Sequence, residues 1–144
     1  MGRIAEVAQA VTDELNGASL SLPFTADRRY APQYELADMD SLHVTVVPKE
    51  LTVATAGRNA GQFDCAVDVA VQKRFSSDAP SEIDPLMDLA EEIAEFFRSR
   101  RLSALPSAAW VKTEHKPIFA PEHMQELRQF SSVITLTFRI LEST

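Results

Sequence analysis

The stretch FDCAVDVAVQK, residues 63–73, decides the fold. Phe63, Cys65, Val67, Val69 and Val71 fall on one side of it, and Asp64, Ala66, Asp68, Ala70 and Gln72 on the other. Successive side chains of a strand point to opposite faces, so this alternation predicts a strand with one buried and one wet face. SVITLTFRIL, residues 132–141, repeats it, with Ile134, Leu136, Phe138 and Ile140 opposite Thr135, Thr137 and Arg139. Between the two, Ile83, Leu86, Met87, Ala90, Ile93, Ala94 and Phe97 lie on one helical stripe. A period of two on both sides of a period of 3.6 predicts an α+β fold. The expectation is a mainly antiparallel sheet of about five to six strands packed on two helices, in the order α-β-β-β-β-α-β-β.

Working outward, residues 3–15 predict a first helix with Ile4, Val7, Ala8, Val11 and Leu15 buried. Asn16-Gly17 is expected to end it through a left-handed glycine. Residues 24–34 carry aromatics between prolines and predict an irregular edge strand. Residues 42–47 predict a strand stopped by Pro48, and residues 51–56 a weaker one. The loop around Gly57 and Gly61 then leads into the long strand at Phe63. Ser81 or Asp84 is expected to cap the second helix, with Pro85 in its first turn. Its acidic residues read as a solvated face, with a docking surface as the alternative, closed by Arg98, Arg100 and Arg101, which complement the helix dipole. Trp110 to His115 predicts a further strand. A long connector, residues 115–129, with a short helical stretch at residues 122–127, precedes the closing strand.

The 144 residues suffice for one domain, residues 1–144, with a substantial core. A hydrophobic share of 45% and a charged share of 24% are those of an ordinary globular chain. A net charge of -7 opposes sequence-specific nucleic-acid binding, which needs clustered Lys and Arg to displace counterions. The opening MGRIAEVAQA has charges where a signal peptide needs an apolar run, and no apolar stretch reaches the roughly 20 residues that span a bilayer. Neither secretion nor membrane insertion is expected.

The side chains able to do chemistry do not assemble into a known pattern. His43, His115, His123 and Cys65 are the only soft metal ligands. His115 and His123 miss the i, i+4 spacing of helix-borne zinc sites, and Cys65 belongs to the apolar face of its strand. Asp64 and Asp68 share a strand face about 13 Å apart, wider than the carboxylate pairs of glycosidases. No serine sits in a Gly-x-Ser-x-Gly elbow, and the Gly57 to Gly61 loop lacks the Gly-Lys-Ser/Thr ending of a phosphate cradle. Arg28-Arg29 and Lys73-Arg74 read as solubilising pairs. These patterns predict no enzyme, no metal and no cofactor. The competing reading is a small ligand-binding or enzymatic domain with a site around Trp110, His115 and His123.

The element order, together with LHVTVVPKE (residues 42–50), DCAVDVAVQKR (64–74), EIDPLMDLAEEIAEFF (82–97) and RQFSSVITLTFRI (128–140), resembles tail terminator or tail-completion proteins of long-tailed bacteriophages and their prophage-encoded relatives. The resemblance implies a structural protein that self-associates into a ring, commonly a hexameric one. Such a ring caps the tail tube protein and meets the head-tail connector protein, in the virion tail or neck after assembly in the host cytoplasm. It carries no catalytic residues over to this chain. A ring subunit needs two unlike patches, because head-to-tail contacts close a cycle only when different surfaces meet. The candidate assembly surface is Arg58, Asn59 and Gln62 in the glycine-bearing loop, with Ile118, Phe119 and Met124 in the connector. For Phe119, packing beneath the connector competes with exposure as a binding anchor.

Overall fold

A computed structural model of the chain describes residues 2–31, 40–76, 79–116, 118–122 and 128–143. Its centre is a long hairpin: β2 (His43–Gly57) and β3 (Ala60–Arg74) pair antiparallel from His43↔Gln72 to Gly57↔Ala60. Arg58 and Asn59 form the turn, and Asn59 takes a left-handed φ of 61° that asparagine tolerates better than most residues. β6 (Gln129–Ser143) pairs antiparallel with β3 along its whole length, Arg74↔Gln129 to Ala60↔Ser143. β5 (Leu105–His115) lies on the far side of β6, and two-residue β4 (Arg101–Leu102) ends that edge. At the opposite edge β1 (Ala26–Arg28) runs parallel to the start of β2. The six-stranded order is β1-β2-β3-β6-β5-β4, with α1 (Arg3–Asn16) and α2 (Pro80–Phe96) supplying the helical layer.

The apolar faces meet as their periods require. Val67, Val69 and Val71 of β3 and Ile134, Leu136 and Phe138 of β6 are fully buried. They share a core with Val7, Val11 and Leu15 of α1 and with Leu86, Leu89, Ala90 and Ile93 of α2. Phe97, just past α2, meets Phe138 edge to face, with ring centroids 6.1 Å apart. The α+β architecture is therefore the one the two periods imply, in the observed order α-β-β-β-α-β-β-β.

Several local expectations need correction. Pro48 does not stop a strand: of the two expected strands, 43–47 and 51–56 belong to one continuous β2 and Leu42 lies just before it, with a register shift between Pro48 and Glu50. β1 leaves β2 at Val46, so Pro48 lies on an edge, where a missing N–H costs no ladder bond. The strand expected over residues 24–34 shrinks to Ala26–Arg28, and residues 32–34 lie outside the described residues. Gly17 ends α1 at φ -89°, not left-handed, with its N–H on the Asp13 carbonyl. Asn16 supplies the terminating contact, its amide accepting from Ala26 N–H at 2.7 Å and donating to Ala26 O at 3.1 Å. That clamp seats β1 beside the helix.

Pro80, not Ser81 or Asp84, opens α2. It occupies the first turn behind Ala79, where no N–H bond is lost, and Pro85 sits inside the helix. Arg98 and Arg100 follow the helix, and Arg101 belongs to β4. The acidic face of α2 also ties down loops: Glu92 accepts from the N–H and hydroxyl of Ser21, and Glu82 from Ser76 N–H at 2.8 Å. β4 was not legible, being two residues long, and its Leu102 is fully buried.

Candidate assembly surface

Past Val46, β2 has no strand on its outer side among the described residues, and every residue from Lys49 to Gly57 is exposed. The register sets Leu51 opposite Cys65 and Val53 opposite Phe63. Directly opposed residues of an antiparallel pair share a face, so Leu51 and Val53 stand on the helix-bearing side of the sheet. Cys65 is sealed there, and burial pushes its thiol pKa up. Phe63 is capped by the Arg3 guanidinium 3.9 Å above its ring, which also bonds the Glu142 carboxylate and holds it below the usual carboxylate range. The helical cover stops at that cap. Leu51 is 45% exposed and Val53 59%.

The run LTVATA, residues 51–56, is thus an edge strand without charge or proline, apolar on one face. Proteins commonly blunt such edges with Lys, Pro or a bulge. Here Pro48, Lys49 and one register shift precede the run, and a second shift, between Thr55 and Gly57, comes only at its end beside the turn, so residues 51–55 stay bare.

The candidates from sequence separate into two places. Arg58 and Asn59 form the hairpin tip, and Gln62 lies close by on β3, paired with Ala54 and Leu141. Ile118 is 48% exposed, whereas Phe119 is half-buried and packs on the core, so its ring belongs partly to the fold. The connector stays beside β6 where β5 has ended, with Ala120 N–H donating to Ser131 O at 2.9 Å. Ser131 and Ser143 lie at opposite ends of β6, roughly 40 Å apart at strand rise, so hairpin tip and connector are distinct patches. Met124 and His123 lie outside the described residues.

Around the competing site, Trp110 Nε1 donates to Thr113 Oγ1 at 2.8 Å. His115 Nε2 is 2.5 Å from Ser132 Oγ. Burial lowers the His115 pKa, against opposing pulls from the Ile118 backbone and the Glu91 charge. A histidine against a serine hydroxyl is the beginning of a nucleophile–base pair. Ser132 is fully buried, however, so no substrate reaches its oxygen, and the pair clasps β5 to β6 at the root of the connector. His43 is half-buried at the start of β2. Among the described residues, no group of three or more His, Cys, Asp or Glu is placed to hold a metal ion.

The outer sheet face is a charge mosaic. Arg139 makes a two-pronged contact with Asp64 at 2.8 and 3.1 Å, depressing that carboxyl's pKa, and Asp68 accepts from Thr135 at 2.6 Å. Lys49, Glu50, Lys112 and Glu114 help line the depression beside them, so charges of both signs face it. No helix among the described residues is long and apolar enough to cross a membrane. A scan against protein-family models finds no match for the chain, and a search of curated proteins finds none either.

Proposed function

We propose that this chain is a structural assembly subunit of a phage or prophage tail, completing the tail tube and joining it to the head connector through ring-like self-association. One observation carries the reading: the bare, uncharged β2 edge at residues 51–56, held out beyond the helical cover with Leu51 and Val53 exposed. Such an edge offers unpaired backbone donors and acceptors together with apolar side chains, the two things a second β-edge binds. The resemblance in element order and in the four quoted segments supplies the tail context. The acidic balance suits a ring through which DNA passes without being gripped, since like charge repels phosphates.

The test is made in the phage or prophage that encodes the chain. Deleting the gene should leave heads and tail tubes that do not join, and purified protein should restore joined particles in an extract. Joined, infectious particles from the deletion strain would end this reading.

A further inference from the structure

We infer that the β2 edge of one copy takes the bare part of the β5 edge of the next copy, antiparallel and staggered, so that the sheet continues from subunit to subunit. The inference rests on the self-association reading above and adds the partner surface and its geometry.

Strand direction comes first. β2 runs opposite to β3, β3 opposite to β6, and β6 opposite to β5, so β2 and β5 themselves run in opposite directions. Two copies set edge to edge, with their helices on the same side, therefore offer each other an antiparallel pair. The short outer strands then fix where pairing can occur. β1 covers β2 only at residues 44–46, and β4 covers β5 only at Leu105 and Ala109. Among the described residues this leaves 47–57 of β2 and 110–115 of β5 without an outer strand. Within the first, 51–56 follows the shift at Pro48 and Glu50. Each stretch carries one further shift near the end that the pairing sets beside the hairpin tip, between Thr55 and Gly57 and between Trp110 and Lys112.

Within one molecule Leu51 shares a cross-strand row with Cys65, Phe138 and Trp110. Aligning 51–56 with 110–115 of a neighbour moves that neighbour along the strands by about five residues, ~17 Å. The shift carries β4 of the neighbour past the hairpin tip and keeps β1 clear of the neighbour's β5, so neither short strand obstructs the ladder. A constant stagger between neighbours is also what a closed, tilted-strand ring requires.

Side chains agree with the placement. Trp110, Thr113 and His115 sit opposite Phe138, Leu136 and Ile134, which puts them on the helix-bearing face with Leu51 and Val53. Residues 51–56 bring no charge, and the Lys112 and Glu114 they would meet are already paired at 3.2 Å. No like charges are set against each other. One such ladder falls well short of the ~1,200–2,000 Å² of a standard interface, so a single contact is weak and a closed ring, with two contacts per copy, is favoured.

The test uses two full-length variants, Val53→Asp to block the β2 edge and Thr113→Asp to block the β5 edge, each followed by sedimentation velocity. Val111→Asp is the second β5 variant should Thr113→Asp lower the melting temperature. Wild type should associate. Each variant alone should stay monomeric, and an equimolar mixture at about 1 mM, high enough for one weak contact to be populated, should give a 1:1 dimer and nothing larger, because one sound β2 edge and one sound β5 edge remain. Association of Thr113→Asp and Val111→Asp like wild type would show that β2 edges pair with each other or elsewhere. Association of Val53→Asp would remove the β2 edge from the contact, and a mixture that stays monomeric would refute the pairing. Those outcomes overturn this geometry alone, whereas a wild type that is monomeric even at about 1 mM overturns the self-association reading with it.

Discussion

Phe138→Ala tests the core on which the two strand patterns converge. Phe138 is fully buried at the centre of β6, between Cys65 on β3 and Trp110 on β5, and its ring meets Phe97 edge to face at 86°. Truncation removes a ring worth ~3–5 kcal/mol once the lost burial and the residual cavity are combined. The edge-to-face contact contributes ~0.5–1.5 kcal/mol beyond area burial, which places the expected loss near 4 kcal/mol. A chain of 144 residues unfolds with an entropy near 0.3 kcal/mol per kelvin, so the melting temperature should fall by roughly 13 °C. Leu141→Ala is the internal control, because Leu141 is 61% exposed on the other face and should shift the midpoint by under ~0.5 kcal/mol. Thermal unfolding followed by circular dichroism reads both. Equal shifts in the two variants would refute the register, because a one-residue slip exchanges the buried and exposed faces.

Phe119→Asp, placed in a half-buried ring site, should destabilise the fold by ~2–3 kcal/mol in a urea titration, whereas Ile118→Asp should cost little. For His115, the folded pKa lies below the ordinary histidine value, so the unfolded chain binds the proton more readily. Stability should be full above about pH 6.5 and fall as the pH drops below it, and His115→Gln should flatten that part of a melting-temperature profile. Asp64→Asn should cost about 1 kcal/mol, the worth of a two-pronged but half-exposed pair. Because the Asp64 pKa is depressed when folded, that difference from wild type should be present at neutral pH and vanish as the pH falls through the folded value.

What could be read from the sequence was what repeats. The alternation at residues 63–73 and 132–141 and the stripe from Ile83 to Phe97 gave the α+β class and the buried face of each long element, because each rests on many side chains obeying one period, whereas which strands pair was not in them. Features set by a single tertiary contact stayed hidden. Pro48 reads locally as a stop and is harmless only because β1 ends at Val46; Gly17 reads as a left-handed cap until the Asn16 amide is seen holding Ala26. The proposed assembly surface was half legible. The glycine-bearing turn marked the hairpin, but the bareness of LTVATA depends on how far β1 and the helices reach, which no local pattern encodes. Phe119 shows the converse, an aromatic in a polar connector whose packing was decided by the core beneath it.

The central claim is that this protein works by edge-mediated self-association, and molar mass by light scattering across a concentration series tests it most directly. Wild type should climb from the 16.0 kDa monomer to a discrete closed oligomer, while folded Val53→Asp stays at 16.0 kDa throughout. A wild type fixed at 16.0 kDa at every concentration, or a Val53→Asp variant that climbs with it, would contradict the account.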